Sequence, residues 1–239
     1  DLIDSTTAST PLSLNFTDTD PSLTVNDDLG LSGSLTVVED SGVASAATTI
    51  TAPTVTGGAV DGFTDSFSYA LSASASATGL QTSNGDGAGV QYDITLVEAD
   101  ANTVNGVYTD GNGVEQTAFT VSLSGTSVTL TSFEALEHIN GPQNGESDNL
   151  DLGSLVSVDA TVTRTDNDGD QVIDSTTAST PLSLNFTDTD PLFGTPTDGF
   201  MSNTDSGPVY LTGDLALSEG ADGISGLTIV GREGTIDGV

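Results

Sequence analysis

The eighteen residues DSTTASTPLSLNFTDTDP stand at Asp4–Pro21 and again, unchanged, at Asp174–Pro191, each residue 170 positions after its counterpart. A strand needs only its buried face specified, so identity that extends to every other position exceeds what folding requires. Duplication of a module about 170 residues long is the economical reading, and the 239-residue chain then holds one full period of a tandem array with parts of a neighbour at each end. Arrays of copied modules serve reach or multivalency more often than catalysis.

Within the period, apolar residues alternate with polar ones. Leu12, Leu14 and Phe16 share one face, as do Phe67, Tyr69 and Leu71, then Tyr92, Ile94 and Leu96, then Phe119, Val121 and Leu123. Val128 and Leu130 follow, then Val156, Val158, Ala160 and Val162. This period of two predicts strands with one buried and one wet face. Turn signals separate them at Gly57-Gly58, Asn84–Gly87, Asp110–Gly113 and Asn140–Pro142. One stretch reads as helical: Thr131–Glu134 has capping-box spacing, and Ala135–His138 would complete one or two turns. The expected fold class is all-β, with immunoglobulin-like antiparallel sandwich modules in tandem and at most one short helix.

Boundaries fall best where Thr-Asp-Thr-Asp-Pro ends a strand and proline stops further pairing. Residues 1–21 are then the closing strand of a preceding module, 22–191 the complete module, and 192–239 the opening of a following, related one.

Thirty-five acidic residues face two arginines, Arg164 and Arg232, and no lysine, for a net charge of −33. Such a chain lacks the cations that nucleic acid and anionic membrane surfaces require. Like charge at this density opposes a compact state unless counter-ions bind. A mean hydropathy of −0.02 and the clean alternation favour a fold, with divalent cations as its partners. There is no cysteine, so a bound metal would take the place of disulfides as a staple. No run is long and apolar enough to span a membrane.

The strongest cation candidate is Asp166-Asn167-Asp168-Gly169-Asp170, whose alternating oxygen-bearing side chains and turn glycine can wrap a hard ion. It lacks the closing glutamate of an EF-hand, and an Asx-rich turn without metal is the competing reading. Asp18 and Asp20, repeated as Asp188 and Asp190, lie at the module junctions, where a spacing of two puts both carboxylates on one side of an extended chain. A following module would add Glu39 and Asp40, or Asp27 and Asp28, to a calcium shared across the joint; a solvated acidic linker is the alternative. Asp110–Gly113 and Asn84–Gly87 read as hairpin turns instead. His138, the one histidine, reads as structural, and Arg164 as offsetting local charge on a strand. With no cysteine and no second histidine, zinc and copper sites are not expected. No Gly-x-Ser-x-Gly elbow or phosphate loop is present, and tryptophan, the usual sugar-stacking platform, is absent, so no enzymatic activity is expected.

Three segments, Val37–Val43, Phe133–His138 and Ala160–Asp170, together resemble the large repeat domain of giant bacterial RTX-type adhesins exported by type I secretion. The similarity covers most of residues 22–191, and the stretch 208–239, with Gly220–Ile224, resembles the start of a related adhesin repeat. The Gly-rich nonapeptide of RTX β-rolls is absent, so the secretion-end β-roll is not what the chain resembles. The resemblance implies extracellular, calcium-rigidified β-sandwich modules that extend a ligand-binding region from a Gram-negative surface for adhesion or biofilm formation. Partners would be neighbouring modules of the same chain, with any host, surface or matrix ligand bound through other domains. A calcium-dependent, lectin-like binding module is the alternative function.

Overall fold

The computed structural model describes residues 6–7, 9–39, 43–74, 76–83, 90–138, 149–151, 155–179, 182–189, 192–196, 213–218, 220–221 and 227–228. Among them the alternating pattern produces strands and no helix. The chain lays down β1 (Ser22–Val25), β2 (Gly30–Leu31), β3 (Leu35–Val38), β4 (Ala44–Thr51) and β5 (Val55–Gly58). There follow β6 (Phe63–Ala73), β7 (Ala77–Gln81), β8 (Asp93–Asp100), β9 (Thr103–Thr109), β10 (Glu115–Ser124) and β11 (Ser127–Ser132). Next come β12 (Asn149–Asp151), β13 (Val156–Asp166), β14 (Gln171–Thr177) and β15 (Leu184–Thr187). A small antiparallel pair, β16 (Leu192–Phe193) with β17 (Leu217–Ser218), lies beyond.

One layer is a seven-stranded antiparallel sheet in the order β2-β4-β11-β10-β9-β8-β7. The other is made of two three-stranded sheets, β14-β13-β6 and β12-β15-β3, while β1 pairs with β5. A single apolar core joins the layers: Val104, Phe119, Val121, Val128 and Leu130 from the first meet Val156, Val158, Ala160, Leu184 and Phe186 from the second. The Phe119 and Phe186 rings touch across it, with centroids 5.1 Å apart. Phe119 packs against its cross-strand partner Gly106, where any β-carbon would stand 2.3 Å from the ring. The fold class is therefore all-β, as the alternation predicts.

Strand β13 shows how pattern becomes position. Its buried face reads Val156, Val158, Ala160, Val162, Arg164, Asp166, so the stripe that fills the core continues into a cation and then a carboxylate at the strand's end.

Three features differ from the sequence expectation. Residues 133–138 form no helix: β11 runs to Ser132, whose hydroxyl donates to the Glu134 carbonyl. Leu136 is buried in an isolated bridge to Thr82, and the Ser83 and Glu137 N–H groups donate to the Ala135 and Gln81 carbonyls. Extended pairing with the end of β7 satisfies the backbone that a helix would have satisfied internally. Secondly, β15 runs parallel to β3, with Leu184 opposite Leu35 and Thr187 opposite Val38. Thirdly, the two copies of the repeat differ in fate. Leu182, Leu184 and Phe186 are buried, whereas Leu12, Leu14 and Phe16 are 82%, 67% and 92% exposed.

Candidate metal centre

The loop Asp166–Asp170 caps the hairpin between β13 and β14. The Asp166 Oδ1 accepts the N–H groups of Gly169 (3.0 Å) and Asp170 (2.7 Å), and Gly169 takes the turn at a φ of 111°. That Asx turn is what the spacing predicts, and it is only half of the arrangement. Asp166 is 5% exposed, and its Oδ2 is buried without an N–H or hydroxyl donor. The Asn167 amide donates to the Asp61 carbonyl, which ties the loop to the turn before β6.

Two further carboxylates converge on this loop. Pairing of β6 with β13 sets Phe63 opposite Asp166, and Asp61, two residues before Phe63, falls beside the loop. The other arrives from the first repeat copy. Ser22 is held opposite Gly58 and accepts a 2.8 Å hydrogen bond from Arg164 Nη1, two residues before Asp166. The chain just upstream of Ser22 must therefore pass the loop, and it brings Asp18. Carboxylate oxygens of Asp18, Asp168 and Asp170 lie within 4.8 Å of one another, and so do those of Asp61, Asp166 and Asp168. A spacing of about 4.8 Å is the most that two oxygens about 2.4 Å from a shared calcium can have. Asp168 belongs to both groups. Asp61 was not legible as a ligand in the sequence, since only the strand register brings it there.

The electrostatics record the crowding. The neighbouring Asp166 carboxylate, then burial and the charges of Asp166, Asp18 and Asp61, push the Asp168 carboxyl up to about 6. Asp18 raises Asp170, aided by burial, Asp166 and Asp20. Burial pushes Asp166 upward too, but hydrogen bonds with Asp168 and from the N–H groups of Asp170, Gly169 and Asp168 outweigh it and hold it below the usual range. Oxygen-only donors, several charged and none a histidine or thiolate, suit a hard cation such as calcium and not zinc or copper.

The remaining predicted residues lie elsewhere. Parallel pairing of β15 with β3 sets Thr187 beside Val38, so Asp188 meets Glu39, with His138 as third member. Glu39 is buried, accepts the Leu136 N–H at 3.1 Å and stands 3.5 Å from His138 Nε2. The carboxylates that meet Asp18 are thus those of Asp168 and Asp170. Asp27 accepts instead from the Thr176 hydroxyl, and Asp28 from Thr54. Asp20 adds like charge near Asp170. Asp40, Asp190 and the turns at 84–87 and 140–142 lie outside the described residues. Asp110 accepts the Asn112 and Val114 N–H groups and closes a hairpin, as its turn sequence predicts.

Arg164 offsets charge on its strand and does more. It is 2% exposed, donates to both Asp65 oxygens at 2.8 Å, reaches the Ser22 and Thr56 carbonyls, and lies 3.8 Å from the centroid of the Phe63 ring. One guanidinium joins β13, β6, β5 and β1 just behind the carboxylate cluster.

No curated protein and no solved structure matches the chain. Residues 5–190 match the model of a family described as Domain of unknown function (DUF5801), a span that takes in all of both repeat copies but Asp4 and Pro191, and the chain belongs to that family.

Proposed function

We propose that the chain is a calcium-stabilised extender repeat of a cell-surface adhesin, acting as a spacer without chemistry of its own. The observation that carries this reading is the meeting of Asp18, from the repeat copy before the module, with Asp168 and Asp170 at the module's edge. An ion held there would neutralise carboxylates on both sides of the junction and stiffen it. Asp166, with a buried oxygen facing no donor, and Asp61 would fix the ion to the module itself. Rigid modules in series suit projection of a ligand-binding region from a bacterial surface, which fits the resemblance to secreted RTX-type adhesins, extracellular placement and partners that are neighbouring modules.

Thermal melts of the 239-residue chain in millimolar calcium and in chelator test the reading. A cation that binds the folded state alone adds about 2.7 kcal/mol per site at a hundred times its dissociation constant. Asp168→Asn and Asp61→Asn should remove most of the calcium increment, whereas Asp110→Asn should leave it intact. Superimposable melts with and without calcium would end the proposal.

A further inference from the structure

The one histidine of the chain meets two carboxylates that lie far from each other in sequence. Parallel pairing of β15 with β3 puts Asp188 beside Glu39, where the Glu39 N–H donates to the Thr187 carbonyl and the Thr189 hydroxyl to the Glu39 carbonyl. The segment after β11 brings His138 to the same place. It is held there by the Glu137 N–H on the Gln81 carbonyl and the Leu136 N–H on the Glu39 carboxylate. One ligand atom from each of the three side chains lies within 4.8 Å of the other two. The His138 and Glu39 side chains are 4% and 1% exposed. We propose that Glu39, His138 and Asp188 form a second metal site, one that takes a divalent transition ion of the zinc class and not calcium.

Donor type, spacing and charge each support it. An imidazole nitrogen suits zinc, copper, nickel and iron, whereas calcium takes oxygen. This separates the group from the carboxylates of Asp18, Asp61 and the 166–170 loop, which offer oxygen alone. Tetrahedral bonds of about 2.0 to 2.1 Å hold ligand atoms about 3.3 Å apart. His138 Nε2 and Glu39 Oε2 stand 3.5 Å apart, beyond an ordinary N–H···O hydrogen bond and close to that spacing. Two carboxylates beside a neutral imidazole carry the charge that one dication cancels. Buried charge needs such compensation, and in this chain lysine is absent and Arg164 is committed to Asp65. Three protein ligands leave a fourth position for water. The ion would tie the chain leaving β15 to the end of β3 and to the segment after β11. One histidine and no cysteine are too few for zinc in the sequence alone; the parallel register supplies the two carboxylates.

A single histidine makes the test direct. The full chain, without an affinity tag and in excess calcium to compete for oxygen-only sites, is titrated with zinc by calorimetry and by NMR of the histidine ring. Zinc should bind at one equivalent per chain, and both ring C–H signals should move to a bound position at the same equivalence point. His138→Gln should weaken this binding at least about tenfold, since loss of a supporting partner alone costs a zinc site that much. Glu39→Gln should weaken it too, while its amide oxygen can still accept the Leu136 N–H and keep the fold. Asp168→Asn should leave zinc binding unchanged. Histidine signals that stay in place would overturn the proposal on the parent chain, with no variant needed. So would zinc binding that survives His138→Gln, as ions scattered over surface carboxylates would, or binding that is lost with Asp168→Asn. The zinc readout sits at His138 and the calcium readout at Asp168 and Asp61, so failure of one site is distinguishable from failure of the other.

Discussion

Replacing Arg164 by methionine keeps most of the side chain's volume and removes its charge. The guanidinium is 2% exposed and its partner Asp65 has a side chain 14% exposed, so the pair is shielded from water. The Asp65 carboxyl is held below its usual range by the guanidinium hydrogen bond, against the opposing effect of burial. Removing one member of a buried, hydrogen-bonded pair costs about 3 to 5 kcal/mol, because the other charge is left without compensation. The Ser22 and Thr56 carbonyls lose donors as well. Domains are stable by about 5 to 15 kcal/mol, so the single substitution should remove about a fifth or more of the total. Urea unfolding followed by circular dichroism, in chelator to isolate the effect from the ion, should show the midpoint falling with little change in slope. Arg164→Met with Asp65→Leu removes both charges and should recover at least half of the loss, since buried pairs are often replaceable by apolar residues. A single-variant cost below about 1 kcal/mol would place the pair with surface salt bridges and refute the reasoning. So would a double variant no better than the single one.

Other outcomes follow from the same geometry. Phe186→Ala should cost about 3 to 5 kcal/mol while Phe16→Ala, the same residue in the same sequence, stays within about 0.5 kcal/mol by denaturant unfolding. Gly106→Ala should cost about 1 to 3 kcal/mol, because a β-carbon there would force the buried Phe119 ring aside. For pH, Asp168 (about 6) and Asp170 are raised in the fold above an ordinary 3.8, so they hold protons more tightly folded than unfolded. Their contribution favours folding below the unfolded value and is lost as pH rises through the folded one. In chelator, Asp168→Asn should therefore gain stability relative to the parent between pH 4 and about 6, read from thermal melts; a constant difference across that window would contradict the assignment. Calcium should reverse the trend, because binding requires the deprotonated form.

Most of the fold was legible because alternation reports which face of a strand is buried, whatever it packs against. Val121, Leu123, Val128, Leu130 and the Val156–Val162 stripe are inside for that reason. Alternation does not report direction or neighbour, which is why the parallel match of β15 with β3 could not be read. The capping-box spacing at Thr131–Glu134 failed for a related reason. A local helical preference worth a fraction of a kcal/mol per residue competes there with a buried Leu136 bridged to Thr82 and bonded to Glu39. Tertiary pairing prevails.

The site divides along the same line. Asp166, Asp168 and Asp170 sit within five residues, so turn chemistry alone brings their oxygens together. Asp61 and Asp18 reach the cluster through the β6–β13 register and through the Arg164 hold on Ser22, both long-range consequences of the sheet. Their contribution is what converts a common Asx turn into a candidate ion site, because the turn uses one Asp166 oxygen, leaves the other buried without an N–H or hydroxyl donor, and Asp61 and Asp18 each complete a group of three carboxylates around Asp168. The same separation explains the two fates of the repeated sequence. Its alternation demands one buried face in both copies, but burial needs a slot with backbone on both sides. Leu184–Thr187 has β3 and β12 beside it; Leu12–Phe16 has the identical demand and meets it in this structure with solvent. Exposure of 92% at Phe16 is therefore a property of context and not of sequence.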